Sequence, residues 1–169
     1  MIESPVSVCA PNHLENGTQI VSAPTSDDSA TGDPTRADVE LRLPADGAYA
    51  SVLRTTTAAL AARLDFTIDD IEDLRIAVAE AGALVLPAAD PGASLTAHFR
   101  LGRGTMTIEI STDAVDNPEP DLESFAWQVL DTLASDALVT SENGVFRVRF
   151  TMTSQLAAGP ADQPTGAEL

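Results

Sequence analysis

The sequence predicts an α+β two-layer sandwich, with three helices on one face of a four-stranded mixed sheet. Four short segments alternate polar and apolar residues, which is the period of a strand with one buried face. Three longer segments repeat apolar residues at intervals of three and four, which is the period of a helix with one buried face. The order is strand, helix, helix, strand, strand, helix, strand. Elements with one apolar face must bury it against a second layer, so the helices are expected to cover one side of the sheet.

The four predicted strands cover residues 38–43, 94–100, 105–110 and 145–152. Residues 101–104, Leu-Gly-Arg-Gly, join the second and third strands as a hairpin. His98 falls on the polar side of its strand, so we assign it no chemical role. The apolar positions of the four strands are Val39, Leu41 and Leu43, then Leu95, Ala97 and Phe99, then Met106, Ile108 and Ile110, and finally Phe146, Val148, Phe150 and Met152.

The three predicted helices begin near Tyr49, Ile68 and Asp121. The second, over residues 68–86, is the central element of the chain. Thr67 is predicted to be its N-cap, with Asp70 returning the hydrogen bond three residues later, and Pro87 ends it. The third helix is expected to carry its apolar stripe as far as Ala137; its positions are Leu122, Phe125, Val129, Leu133 and Ala137.

The chain is strongly acidic, with a net charge of −17 over 169 residues, and all of its basic side chains apart from two histidines are arginines. Such a balance argues against binding nucleic acid, whose phosphates it repels, and favours a basic protein partner. The single cysteine, Cys9, cannot form an internal disulfide. With no apolar run near ~20 residues and no signal-peptide pattern, we expect a cytoplasmic protein that does not contact the membrane.

Composition divides the chain into three parts. Residues 1–37 are rich in Ser, Thr, Pro and Asp and are expected to form a disordered arm. Residues 38–154 hold all the periodic segments and are expected to form one domain. Residues 155–169, rich in Ala, Gly and Pro, are expected to be a disordered tail.

The central helix reads Leu-Arg-Ile-Ala-Val-Ala-Glu at residues 74–80, followed by Leu84. Glu80 is unusual because its neighbours in the sequence are small and apolar. This segment resembles the N-box helix of the histidine-kinase-like ATPases in their anti-sigma regulatory factor (RsbW-type) branch, where Leu-x-x-Ala-Val-x-Glu-x-x-x-Asn is typical. The third helix, Ser-Phe-x-Trp-x-Val-Leu from Ser124, is similar to that of actinobacterial members. The resemblance implies the histidine-kinase-like ATPase fold for residues 39–152.

The resemblance also implies roles for two acids. Glu80 stands where the family's kinases have the general base that activates a serine of an antagonist protein, and Asp113 stands where an aspartate reads adenine. Leu84 replaces the asparagine that holds magnesium, and Val115 and Asn117 replace two glycines of the adenine-binding box. The phosphate-binding turn lacks glycine as well, and only about seven residues separate Asp113 from the third predicted helix, which is short for a lid over ATP. We therefore expect no metal site and no bound cofactor. The alternative is a rebuilt pocket that binds ATP and magnesium weakly, with Glu80 still acting as a base.

Arg54, on the first helix, stands where the family has a partner-contacting arginine. The alternative is a solvated arginine paired with a neighbour such as Asp46. The resemblance implies an anti-sigma factor of the stress-response type, which sequesters an alternative sigma factor, is released by an anti-anti-sigma antagonist and forms a homodimer. Two other functions stay open: an ATP-dependent serine-protein kinase that phosphorylates the antagonist, and a degenerate domain that only dimerises or binds another regulator.

Overall fold

The computed structural model describes residues 37–157. Cys9, nearly all of the predicted arm 1–37 and most of the predicted tail 155–169 lie outside the described residues. Short 3-10 turns precede the first helix and follow the second, at Gly47–Tyr49 and Leu86–Ala88. In chain order the main elements are β1 (Val39–Pro44), α1 (Ala50–Ala61), α2 (Ile68–Val85), β2 (Ser94–Gly102), β3 (Thr105–Asp113), α3 (Phe125–Leu133), β4 (Asp136–Glu142) and β5 (Val145–Thr153).

The sheet has five strands in the order β1-β2-β3-β5-β4, and every neighbouring pair is antiparallel. The α+β class with three helices is therefore confirmed, whereas the prediction of a four-stranded mixed sheet is wrong. The strand that the sequence pattern misses is β4, the first part of which that pattern places in the third helix. That helix ends at Leu133, and Ala137 is instead an inward-facing residue of β4. An apolar residue four positions after Leu133 fits a helical stripe, so periodicity alone did not separate the two structures.

The core lies between the helices and one face of the sheet. Its fully buried side chains come from every layer; among the largest are Leu74 and Val78 of α2, Leu130 of α3, and Phe99, Ile108 and Phe150 of the strands. The opposite face of the sheet is polar, because the alternate residues of the same strands are mainly threonine, arginine, histidine and glutamate. Helix α2 is central: it packs between α1 and α3 and against β3 and β5.

Hydrogen bonds connect the start of α2 to the segment that follows β5. Thr67 and Asp70 form the predicted capping box, with hydrogen bonds of 3.1 Å and 2.9 Å in the two directions. The Asp70 carboxylate, buried with 5% of the residue exposed, also accepts a hydrogen bond from the Ser154 hydroxyl at 2.9 Å and one from the Gln155 backbone N–H at 3.3 Å. These hydrogen bonds join the start of the central helix to the segment that follows β5.

None of the helices in residues 37–157 is both long enough and apolar enough to cross a membrane.

Candidate functional site

Two cavities flank α2 on different sides. The first, called here the α1 cavity, lies between α2, α1 and the end of β1; it has a volume of about 170 Å³. The second, called the α3 cavity, lies between the end of α2 and the connection that leads into α3; it has a volume of about 320 Å³. The α1 cavity is lined by Leu43, Pro44, Asp46, Tyr49, Ala50, Leu53, Arg54, Val78, Ala79, Gly82, Ala83, Leu86 and Leu95. The α3 cavity is lined by Ala83, Leu84, Pro87, Ala88, Pro118, Glu119, Asp121, Ser124 and Phe146.

The α3 cavity contains Leu84 and the connection between β3 and α3, which are the segments that the resemblance assigns to nucleotide binding. Two carboxylates, Glu119 and Asp121, line it, and no arginine does. Residues 105–146 contain no arginine, lysine or histidine at all, so no cation from this part of the chain offsets the two acids. Acidic groups repel the phosphates of a nucleotide, especially where a partly enclosed wall lowers the dielectric constant.

The α3 cavity also lacks the ligands that magnesium needs at the N-box position. Leu84 is half-buried in the wall and has no oxygen to offer. Within residues 37–157, no three His, Cys, Asp or Glu side chains cluster closely enough to hold a metal ion. The residues present therefore do not fit a bound nucleotide with its metal ion.

Glu80 lies one helical turn before Leu84 and is half-buried. It lines neither cavity. No hydrogen bond or ion pair joins its carboxylate to another residue of the described chain, and the residue is partly exposed. The structure thus keeps Glu80 within reach of water but does not aim it into the α3 cavity.

Asp113 is the last residue of β3, and the structure does not bring it together with Glu80. Inward and outward residues alternate along β3, and Met106, Ile108 and Ile110 face the helices. Thr112 continues that inward series, is 3% exposed and donates a hydrogen bond to the Ser94 carbonyl at 3.1 Å. Asp113 is exposed and lies on the other face of the strand. The alternation in the sequence was a sufficient signal that Thr112, and not Asp113, points toward the helices.

The connection between β3 and α3 is longer than predicted. Helix α3 begins at Phe125 and not near Asp121, with Ser124 as the N-cap accepting from the Trp127 N–H at 3.3 Å. Asp121 instead forms a turn: its carboxylate accepts from the Glu123 N–H at 3.0 Å and its carbonyl accepts from the Ser124 hydroxyl at 2.7 Å. Residues 114–124 therefore connect the two elements, and a short connection is no longer an argument against a lid.

Arg54 lies at the α1 cavity and is half-buried. The alternative pairing with Asp46 is not formed: the Asp46 carboxylate accepts the Ala48 N–H at 2.8 Å, and no ion pair joins Arg54 to any residue in 37–157. Ala50, Leu53 and Arg54 share one face of α1 because they are spaced three and four residues apart. The guanidinium thus lies at a largely apolar cavity whose lining also includes Asp46, but it forms no ion pair with an acid of the described chain.

His98 belongs to a row of charges on the outer face of the sheet. Its ring nitrogens lie 3.5 Å from Glu40 and 3.9 Å from Glu109, and the Arg147 Nε lies 3.2 Å from Glu109. These residues sit on adjacent antiparallel strands, where opposite charges support the pairing. The row is explained by strand pairing and needs no ligand.

The known proteins that are similar in sequence include several serine-protein kinases. The chain is 39% identical over 74 residues to the serine-protein kinase RsbW of Halalkalibacterium halodurans, which is 43% of this chain and 46% of that protein. It is 46% identical over 43 residues to the serine-protein kinase RsbW of Bacillus velezensis, covering 25% of this chain and 27% of that protein. The matches thus span about half, or less, of the relatives' length. No protein-family model matches the sequence.

A solved structure shares the fold. The RsbU and RsbW domains of Rv1364c from Mycobacterium tuberculosis superpose with a TM-score of 0.50 at 16% sequence identity, over 68% of this chain and 32% of that one. At that identity the likeness establishes the architecture alone. The chain is thus similar over part of its length to RsbW serine-protein kinases, and it shares its architecture with a chain that contains RsbU and RsbW domains.

Proposed function

We propose that this protein is an anti-sigma factor, which sequesters an alternative sigma factor until an anti-anti-sigma antagonist competes for the same surface. The observation that carries this proposal is the contrast between the two sides of α2. On one side, the α3 cavity has acids where a nucleotide would need cations and a leucine where magnesium would need an oxygen. On the other, Arg54 and the α1 cavity form a partly apolar surface whose guanidinium has no ion pair within residues 37–157, which suits contact with a protein.

The net charge of this chain supports a partner protein that carries basic surfaces. With a net charge of −17, the chain attracts positively charged proteins over several ångströms and repels DNA. A sigma factor is a DNA-binding protein, and its basic surfaces suit an acidic inhibitor. In this proposal the long-range attraction speeds the encounter, and the short-range contacts at Arg54 determine how long the complex lasts.

Binding of purified sigma factors tests the proposal directly. Each sigma factor encoded by the source genome is expressed separately and passed over the immobilised full-length chain. We expect one alternative sigma factor to be retained and then displaced by the antagonist. If every sigma factor flows through at physiological salt, the proposal is contradicted.

The second candidate is a serine-protein kinase acting on the antagonist. Retention of Glu80, the volume of the α3 cavity and the kinase names of two relatives favour it. The two candidate functions predict different effects of ATP on the stability of the protein. For a bound nucleotide at ~100 times its dissociation constant, the free energy of unfolding rises by about 2.7 kcal/mol.

We expect ATP, with or without magnesium, to leave the thermal unfolding midpoint unchanged, because Glu119 and Asp121 oppose the phosphates. A matched variant with both acids neutralised, Glu119→Gln with Asp121→Asn, shows whether these charges are the obstacle. A clear upward shift of the wild-type midpoint, together with ATP-dependent phosphorylation of the antagonist that Glu80→Ala abolishes, would establish the kinase instead.

A further inference from the structure

Helix α3 and the residues just before it expose apolar side chains that the sequence pattern places on a buried stripe. Leu122 is 55% exposed and Phe125 is 77% exposed, so the prediction that these two positions face inward is wrong. The helix is instead anchored by Leu130, which is fully buried. Phe125 lies five residues before Leu130, a rotation of about 140° around the helix axis, and therefore faces away from the core.

The two exposed side chains adjoin the α3 cavity. Asp121 and Ser124 line that cavity, and their immediate neighbours in the chain are Leu122 and Phe125. The lining of the α3 cavity together with these two exposed side chains is called here the α3 surface. Neighbouring exposed apolar side chains beside a cavity are typical of a binding site, whereas isolated ones are ordinary.

The α3 surface is negatively charged, and no cation of its lining balances that charge. Glu119 and Asp121 line the cavity, and every other lining residue except Ser124 is apolar. Glu123, which is exposed, adds a third acid in the same connection. The hydrogen bond that Asp121 accepts from the Glu123 N–H orients the carboxylate and leaves its charge in place. Because like charges repel, neither an anionic ligand nor a second copy of this chain, with its net charge of −17, suits this surface.

A long cationic side chain matches both the walls and the charge of the α3 cavity. Its aliphatic stem can lie against the apolar walls formed by Leu84, Pro87 and Phe146, while its charged end reaches the two carboxylates. Arginine suits this position because its planar guanidinium pairs closely with carboxylates. A small cation would leave Leu122 and Phe125 uncovered, whereas a helix with one apolar face would cover them.

We propose that the α3 surface binds a basic amphipathic helix of a partner protein. One arginine of that helix enters the α3 cavity and pairs with Glu119 and Asp121, and apolar residues of the same helix pack on Leu122 and Phe125. This surface lies on the other side of α2 from Arg54. The inference therefore goes beyond the anti-sigma function and does not depend on it.

Fluorescence anisotropy with a labelled model peptide and the full-length chain tests the inference. The peptide has about 18 residues, long enough to form a helix, with leucine at intervals of three and four and arginine at most other positions. A second peptide of the same composition, with its leucines spread around the helix, is the control for charge. We expect the amphipathic peptide to bind about tenfold more tightly than this control at physiological salt.

Two double variants remove the two parts of the α3 surface separately. Glu119→Gln with Asp121→Asn removes the charges, and Leu122→Ser with Phe125→Ser removes the apolar side chains. Each is expected to weaken binding of the amphipathic peptide by about tenfold. The unfolding midpoint is expected to stay near that of the wild type, because all four residues are exposed.

Matched controls lie on α2, before the segment that lines the cavity. Asp69→Asn with Glu72→Gln makes the same change in net charge, and Ile68→Ser with Ile76→Ser removes two exposed apolar side chains. Glu72 is about 18 Å along the helix from Leu84, farther than the screening length of about 8 Å. We therefore expect both controls to bind the peptide as the wild type does.

Four results would overturn the proposal. If the charge variant and its control weaken binding equally, or if the two peptides bind equally well, the attraction is one of net charge. If Leu122→Ser with Phe125→Ser keeps full binding, no helix packs there. If spermidine raises the unfolding midpoint of the wild type but not that of the charge variant, and does so while the apolar variant keeps full peptide binding, the cavity belongs to a small polyamine. If sedimentation shows a wild-type dimer that the apolar variant dissociates, a second copy covers the surface.

Discussion

Replacement of Asp70 by alanine is expected to lower the free energy of unfolding by about 3 kcal/mol near neutral pH. The buried carboxylate accepts hydrogen bonds from three donors, the Thr67 N–H, the Ser154 hydroxyl and the Gln155 N–H. Alanine leaves these donors without their acceptor and also removes half of the capping box of α2. Since Ser154 and Gln155 follow β5, the loss releases the end of the sheet from the start of the central helix.

Urea unfolding followed by Trp127 fluorescence measures this effect. Asp69→Ala is the matched control, because Asp69 is the preceding residue on the same helical turn but is exposed. Its loss removes only a favourable interaction with the helix dipole, worth about 0.5 kcal/mol. If the two substitutions lower the free energy of unfolding equally, the hydrogen bonds of Asp70 do not stabilise the contact between α2 and the segment after β5.

The contribution of Asp70 to the free energy of unfolding is also expected to depend on pH. Burial alone would raise the pKa of Asp70, but the hydrogen bonds from Thr67, Ser154 and Gln155 outweigh it and lower that pKa below its ordinary value of 3.8. The folded state then binds a proton less readily than the unfolded chain. The stabilisation is therefore fully present above the unfolded pKa and is lost as the pH falls through the lower folded pKa.

Comparison of wild type with Asp70→Ala across pH tests this linkage. The difference in unfolding free energy is expected to be constant from about pH 7 to about pH 5 and to shrink below about pH 4. A difference that grows as the pH falls would mean that the pKa of Asp70 is raised in the folded state.

Arg54→Glu is expected to weaken sigma-factor binding by about 100-fold, or about 2.7 kcal/mol. The substitution removes the one cation that lines the α1 cavity and puts a negative charge in its place, on the surface that the proposed function assigns to the partner. Because Arg54 has no ion-pair partner in the described chain, its loss leaves no carboxylate of the domain unpaired, and the fold is expected to keep its unfolding temperature.

Arg63→Glu is the control for overall charge. Arg63 is exposed and lies just after α1, so this variant has the same net charge change at a position away from the cavity. We expect it to alter the association rate modestly and the dissociation rate little. If the two variants weaken binding equally, binding depends on the net charge of the chain and not on a contact at Arg54.

Local patterns in the sequence predicted the elements whose stabilising contacts are near in sequence. The capping box needs only Thr67 and Asp70, three residues apart, and the β2–β3 hairpin needs only one turn. Strand β4 was missed because it is held by pairing along β5 and has an inward residue, Ala137, that also fits a helical interval. The start of α3 was misplaced because Asp121 forms a turn that its residue type allows but does not require.

Some features of the candidate site were likewise predictable from the sequence, and others were not. The sequence by itself determined which chemical groups the chain can offer: Glu80 without the following asparagine, Arg54 on the first helix, and no cation between residues 105 and 146. Only the tertiary structure decided that Arg54 forms no ion pair within residues 37–157 and that Gly82 lines a cavity. Composition and periodicity follow from neighbours along the chain, whereas cavities and unpaired charges depend on how distant elements pack against one another.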